Sequence, residues 1–541
     1  MFLKRKESGS TVKSAVEYHS GKTSAELSAN RDFRSMHIHN LDEAVAVVRR
    51  YLREHSDAPV YIVGDYDSDG INATAIMYWT FRKLGRKVIT RLPHRFSEGY
   101  GLSEKIIDEI PYGSLVITVD NGIAAGAAVK KAKEKGMTVV VTDHHLPPVD
   151  ENGVPAMPEA DVIVDPNADS GQSDGGDICG AAIAYRFALE VFKRIPLDPL
   201  CVLASVATVT DVMPVTDTSR SLLVNGLYLV NRGKVLPGMR VLLRECGLYE
   251  DGLESHITEE DYGFRIGPMF NAPERLVDGG AEMVLDLLKS PVSSPEVQEK
   301  ARKLIELNDQ RKIKAREAEE RAETMLTEKR PIVIYDPQTG EGIIGLVAGY
   351  LTEKYGCPAI VFTKSSEEGI LKGSGRSIPQ IHLKKVLDSL GDYLIGFGGH
   401  AGAAGLSLKE EDLEAFADAF AEACQPLPEK PKDMYYDLEI TPADIPAAVD
   451  ELKAYAPYGE GNPQVVFRMR YKTAGQPRFI GDGSHLMIRE PDFTIMAFGL
   501  ANKYRALGTP SDLDMVGHLS ESWFRGQKSY RFEAVAIEAA K

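Results

Sequence analysis

Cysteine is scarce: five residues (Cys179, Cys201, Cys246, Cys357 and Cys424) stand far apart in 541, with no CxxC pair. This excludes a zinc ribbon and a disulfide framework and suits a reducing compartment. No stretch of about 18 uninterrupted apolar residues occurs, so no membrane-spanning helix is expected. The opening Met1-Phe2-Leu3-Lys4-Arg5-Lys6 runs into polar residues rather than the apolar core of a signal peptide. A cytoplasmic protein without membrane attachment is expected. A P-loop GxxxxGK[ST] and a Ser-His-Asp arrangement are both missing, as are internal repeats. Positive charge is in deficit, 63 Lys and Arg against 79 Asp and Glu, for a formal charge of −16. That counts against a nucleic-acid partner, although binding depends on a local groove and metal-binding carboxylates themselves add formal negative charge.

What is present fits an ordinary globular protein of several domains, with 43% apolar and 26% charged residues. From about residue 59 to 215, β-branched runs such as Val60-Tyr61-Ile62-Val63, Leu115-Val116-Ile117-Thr118-Val119 and Thr138-Val139-Val140-Val141 alternate with helix-like segments. Near-continuous apolar strands separated by helices predict an α/β domain with a mostly parallel sheet covered on both faces. The charged stretch 294–329 has strong helix formers and i,i+4 charge pairs, which predict a long solvated helix joining two lobes. A smaller α/β lobe is expected over 330–425. Beyond a Pro-rich linker at 425–431, short strands broken by turns predict a small β-barrel over 432–541. The remaining divisions are an N-terminal extension, 1–45, and a catalytic domain, 46–293.

The polar residues of interest follow the strands: Asp65-Tyr66-Asp67-Ser68-Asp69-Gly70 after the first, Asp120-Asn121-Gly122 after the third and Asp143-His144-His145 after the fourth. In open α/β sheets ligands bind beyond the carboxyl ends of the strands, so these groups are expected to share one crevice. The first loop matches the start of an EF-hand, but loop position twelve is Ile76 instead of Glu and a strand, not a helix, precedes it. A mixed carboxylate and imidazole set predicts two manganese ions, with magnesium as the alternative. Adjacent residues at a strand end face different ways, so of His144 and His145 one is expected to bind metal and the other to serve the substrate phosphate or support a ligand. Such a centre suits hydrolysis of a phosphoester by metal-activated water.

The four stretches DYDSDG (65–70), ITVDNG (117–122), TDHHLP (142–147) and ATVTDVMP (207–214) resemble, in order, the motifs of the DHH phosphoesterases. That resemblance implies metal ligands among Asp65, Asp67, Asp69, Asp120, His144 and Asp211, with Asp143, His144 and His145 as the catalytic triplet. Gly398-Gly399-His400-Ala401-Gly402 is similar to the substrate-binding motif of the associated DHHA1 domain, where Gly399 and His400 would meet a phosphate. The stretches 93–101, 267–275, 373–378 and 458–463 extend the similarity, over about residues 40–541, to the branch of the family that digests single-stranded DNA. Membership of that branch implies that Arg95, Arg275, Ser374, Arg376 and His400 hold phosphates, including a 5′-terminal one. It also implies that the barrel is an OB-fold gripping single-stranded DNA, and that hydrolysis runs 5′ to 3′ in DNA repair and recombination. One departure is Pro273-Glu274, where that branch usually has small residues.

A monomer is expected, with single-strand-binding protein or a helicase as a further partner. Phe493, Phe498, Trp523, Tyr530 and Phe532, near Arg525, Lys528 and Arg531, are stacking candidates, with barrel core as the plainer role. Two alternatives compete. One is a DHH phosphodiesterase of short oligonucleotides or cyclic dinucleotides; the other is a non-catalytic, Cdc45-like replication scaffold.

Overall fold

The computed structural model describes residues 2–29, 32–149, 153–193, 196–328, 330–428, 433–524 and 527–540. The first lobe is built on five parallel strands in the spatial order Val88–Arg91, Val60–Val63, Leu115–Val119, Thr138–Thr142, Val162–Val164. Period-two alternation sends Leu115, Ile117 and Val119 into one core, with helices Ser68–Lys83 and Gly180–Val191. Val116 points into the other, with helices Glu104–Glu109 and Gly126–Glu134. The strand that comes first in chain order lies between the second and the third, so the direction in which strands are added to the sheet reverses between Val60–Val63 and Leu115–Val119. The crevice of a doubly wound sheet opens at that switch, beside Asp65 and Asp120.

Helix Pro295–Met325 starts at Ser294, whose side chain accepts the Val297 N–H, and at a Pro in its first turn. It is more than a solvated connector. Val297, Ala301 and Leu304 enter the first lobe's core, and Ala315, Ala318 and Ala322 enter the second's. The small alanines let it lie close against the second lobe, whose sheet runs Gly396–Gly399, Ala403–Lys409, Ile370–Arg376, Ala359–Lys364, Ile332–Tyr335.

The C-terminal domain holds a seven-stranded, mostly antiparallel sheet whose longest strands, Asp512–Phe524 and Gln527–Ala539, pair with each other. The N-terminal segment joins it. Strand Phe2–Arg5 pairs in parallel with Asp433–Tyr436, and Val12, Ala15, Val16 and Leu27 lie in the C-terminal core, whereas Phe33 to Leu52 pack in the first lobe. Among the described residues no helix is long and apolar enough to cross a membrane.

Candidate metal centre

Strand Val60–Val63 delivers Asp65, and the chain turns at once into helix Ser68–Lys83 with Asp67 as its N-cap. Asp67 Oδ1 accepts the N–H groups of Asp69 at 2.9 Å and Gly70 at 3.0 Å. Only glycine fits at position 70, because a Cβ there would stand 2.5 Å from the Asp65 backbone nitrogen. Asp69 receives the N–H groups of Gly180 (2.6 Å) and Ala181 (2.8 Å), the first turn of helix Gly180–Val191, whose dipole favours the anion. Asp120 closes its strand in the left-handed region (φ 60°), a strained conformation for a residue with a Cβ. Asn121 holds it there, donating to Val63 O (3.1 Å) and Val119 O (2.9 Å) and accepting from Leu102 N–H (3.1 Å).

The Asp-His-His triplet divides its tasks. Asp143 uses both carboxylate oxygens within the protein: Oδ2 accepts from Ile123 N–H at 2.9 Å, and Oδ1 from His144 N–H at 2.8 Å and His145 Nδ1 at 2.7 Å. It therefore orients the histidines and presents neither oxygen to the crevice. His144 turns inward, its Nε2 lying 3.1 Å from Asp120 Oδ1 and 3.6 Å from Asp69 Oδ2 and Asp211 Oδ2. His145 turns to the crevice mouth, half exposed. Burial alone would lower its pKa, but the hydrogen bond and charge of Asp143 raise it to about 9.

Asp65 Oδ1, Asp120 Oδ1 and Oδ2, His144 Nε2 and Asp211 Oδ2 are buried without a hydrogen-bond partner. Buried polar atoms left unpaired cost stability unless something else satisfies them. Burial and the mutual repulsion of the five carboxylates push Asp65 and Asp120 well above the carboxylate range and Asp211 up to about 9. Ligand atoms of Asp65, Asp67 and Asp120, and separately of Asp69, His144 and Asp211, lie within 4.8 Å of one another. The donor set fits divalent cations that accept oxygen and imidazole nitrogen.

Facing this anionic centre is a cationic one. Arg275 is half-buried, and desolvation together with Arg95, Arg376 and Arg311 pushes it down to about 10. Burial and Arg95 likewise lower Arg376. Among the described residues no carboxylate forms an ion pair with Arg95, Arg275 or Arg376, and like charges gathered in this way prepare a place for anions. Ser374 Oγ accepts from Arg376 Nη1 at 3.2 Å, and Gly345 lies beneath both, where a Cβ would stand 2.9 Å from Ser374 Oγ. Gly399 (φ 144°) passes so close to Ala403 that a Cβ would meet its carbonyl oxygen at 2.3 Å. His400 follows, open to solvent on one side, with a pKa lowered by the partial burial of its ring and then by Arg376 and His145, so the two lobes' histidines feel each other across the crevice. Arg95, Arg275, Arg376 and His400 thus lie close enough to influence one another's charge, with Ser374 bonded to Arg376 and Gly399 next to His400. The overall acidity of the chain is compatible with an anionic ligand because its charges are segregated.

Three participants had no role in the sequence reading. Tyr100 Oη lies 3.1 Å from His145 Nε2; its flanking glycines, both with positive φ, are the signal of a sharp turn. Asn271 Oδ1 accepts Ser68 N–H at 2.7 Å and steadies the Asp67 cap. Arg311, on the inner face of the connecting helix, shares with Arg275 a cleft of about 820 Å³ running from Val212 to Tyr458. Of the stacking candidates, Phe493 and Phe532 are core residues, Phe498 is exposed and Trp523 stacks on His256 at 3.9 Å. Arg525 lies outside the described residues.

Comparison with known proteins agrees with this architecture. Residues 59–208 match the DHH family, N-terminal domain, 329–425 the DHHA1 domain and 436–535 the RecJ OB domain. The chain is 32% identical over 484 residues to the single-stranded-DNA-specific exonuclease RecJ of Salmonella typhimurium, covering 83% of this chain and 81% of that protein. With the protein of the same name from Dickeya dadantii it shares 30% over 524 residues, covering 90% and 88%. The crystal structure of RecJ in complex with Mn2+ from Thermus thermophilus superposes with a TM-score of 0.80 at 26% identity, over 98% of this chain and 76% of that one. Its Mg2+ complex gives a TM-score of 0.72.

Proposed function

The chain belongs to the RecJ family of single-stranded-DNA-specific exonucleases, and from that premise we propose that it hydrolyses single-stranded DNA from the 5′ end with manganese as its metal. The observation that carries this reading is the opposition of two charge sets across one crevice. Five buried ligand atoms lack hydrogen-bond partners on one side, and Arg95, Arg275 and Arg376 gather on the other. Two divalent ions held by Asp65, Asp67 and Asp120 and by Asp69, His144 and Asp211 would supply an activated water and charge for the attacking and leaving oxygens. The imidazole of His144 favours manganese over magnesium.

In this reading His145, oriented by Asp143, contacts the scissile phosphate, and Arg95, Arg376, Ser374 and His400 receive the 5′-terminal one. Arginine suits that task because its planar fork matches phosphate oxygens. The two lobes meet where Gly342 packs on the Arg275 backbone, a Cβ there lying 2.1 Å from Arg275 O. A crevice closed at that point favours one strand over a duplex. A single chain carries every group invoked, consistent with action as a monomer, and the free cysteines suit the cytoplasm. Digestion of single strands would place the enzyme in DNA repair and recombination, with single-strand-binding protein or a helicase as a partner.

The test is to incubate the protein, and a variant with Asp143, His144 and His145 replaced by alanine, with Mn2+ and DNA labelled at either end. Early release of the 5′ label as mononucleotide from single strands only, absent in the variant, is expected. Hydrolysis of cyclic dinucleotides alone, or early release of the 3′ label, would refute it.

A further inference from the structure

Asp211 sits at the end of helix Asp198–Thr210, and the residue after it, Val212, is in the left-handed region with φ 56°. A β-branched side chain is a genuine outlier there, and such strain persists only where the surroundings impose it. Helix Asp198–Thr210 holds the upstream end of the turn, since Asp211 N–H donates to Ala207 O at 2.9 Å and Met213 N–H to Thr208 O at 3.0 Å. The downstream end is held by another domain. Val215 N–H donates at 2.7 Å to the carbonyl of Glu460, in the loop Tyr458-Gly459-Glu460-Gly461-Asn462-Pro463 between strands Leu438–Glu439 and Phe467–Lys472 of the C-terminal sheet.

That loop is built to approach closely and not to move. A Cβ on Gly459 would stand 2.7 Å from Val215 Cγ2, and one on Gly461 (φ 71°) would stand 3.0 Å from Thr216 Cγ2. Gly459 and Asn462 exchange backbone hydrogen bonds at 3.0 and 3.1 Å, and the buried Asn462 side chain donates to Tyr455 O and Pro457 O. From the first lobe, Glu259 accepts Tyr458 N–H at 2.8 Å. Buried Arg220 donates to the carbonyls of Tyr455, Ala456 and Pro457 at 2.7–2.9 Å. An arginine used wholly on carbonyls is a rivet rather than an anion site.

We propose that the Tyr458–Pro463 loop is a positioning element of the metal centre: by fixing Val215 it sets the Val212 turn and hence the direction of the Asp211 carboxylate. The C-terminal domain then completes the site in addition to any grip it has on the strand, which gives a physical reason for two glycines in a loop that touches no ligand atom. The inference rests on the assignment of Asp211 as a metal ligand.

Two compensating pairs test it by Mn2+ titration of the metal-free, full-length protein, followed calorimetrically or by the spin resonance of free Mn2+. Gly459→Ala and Gly461→Ala are each expected to weaken Mn2+ binding about tenfold, the size usual for residues that orient ligands. Single-strand binding in EDTA should stay unchanged. Removing the opposing methyls, by Val215→Ala with the first and Thr216→Ser with the second, should restore the share of the loss that comes from the contact and leave the share set by the positive φ of each glycine. Folded Gly459→Ala and Gly461→Ala proteins that bind Mn2+ like the parent would overturn the inference, as would losses that neither partner substitution relieves. Asp211→Asn run alongside separates the two levels. If it too binds Mn2+ like the parent, the metal assignment fails rather than the coupling.

Discussion

The buried carboxylate of Glu274 accepts the backbone N–H of Arg95 at 2.7 Å and also takes Gly279 N–H at 3.2 Å and Ala281 N–H at 2.8 Å. Pro273-Glu274, the departure noted in the sequence, thus forms the floor of the loop that presents Arg95. Glu274→Ala leaves three N–H groups without their acceptor, and at about 1–3 kcal/mol for each one that stays dry, a loss of ~2–4 kcal/mol is expected after partial rehydration. Urea denaturation measures it. The same variant should raise KM for 5′-phosphorylated strands more than it lowers kcat, because the floor is lost and the metal centre is not.

The crowded carboxylates set the pH dependence of the metal-free protein. Burial, followed by the charges of Asp69 and Asp67, raises Asp211 from 3.8 to about 9, and Asp65 and Asp120 move in the same direction. The folded site holds protons that the unfolded chain releases above about pH 4, so its contribution is complete below that pH and is lost progressively toward pH 9. Thermal melts in EDTA should therefore fall across this window, and saturating Mn2+ should reverse the trend. Asp120→Asn should raise the midpoint in EDTA and abolish most of the rise on adding Mn2+. A metal-free midpoint that climbs steadily with pH would contradict this account.

The strand-end carboxylates could be read from sequence because a buried parallel strand is a run of β-branched residues and the crevice lies at its carboxyl end. Their division of labour could not. Asp143 differs from Asp120 in that its carboxylate is met by the N–H groups of Ile123 and His144 and by the ring of His145, groups that the fold and the triplet's own turn bring to it. Asn271 serves Ser68 across 203 residues, a pairing that no local pattern encodes. The connecting helix was legible as a helix, yet its charged i,i+4 pairs hid the inner row Ala315, Ala318 and Ala322, because alanine marks close approach only when the opposite surface is known.

Arg376 and Arg275 face phosphate in the proposed complex, and the salt dependence of binding counts such contacts. For Arg376→Ala, the slope of log K against log salt for single-stranded DNA in EDTA should become shallower by about 0.7, the value for one single-strand phosphate contact. The affinity loss should be greater for a 5′-phosphorylated strand than for a 5′-hydroxyl one. Equal losses on both ends would move Arg376 from the terminal phosphate to the path of the strand.

The N-terminal segment makes a prediction about folding. Asp437 is fully buried and its carboxylate accepts hydrogen bonds from Ser8 Oγ (2.9 Å), His19 Nε2 (2.8 Å) and Val466 N–H (2.8 Å), so two of the carboxylate's three partners come from the first 20 residues. Val12, Val16 and Leu27 add buried apolar surface to the same core. At ~1.5–3 kcal/mol for each such side chain, removing residues 1–28 should cost the C-terminal domain on the order of 5 kcal/mol, enough to separate its unfolding from that of the first lobe. Arg220 also donates to Leu27 O at 2.8 Å, so the rivet beneath the Tyr458–Pro463 loop loses a partner at the same time. Calorimetry should then resolve an early transition in the truncated protein, and Asp437→Asn in the intact chain should shift the same transition part of the way. If the truncated protein melts in one step at the parent's temperature, the N-terminal strand and helices decorate the C-terminal domain without supporting it.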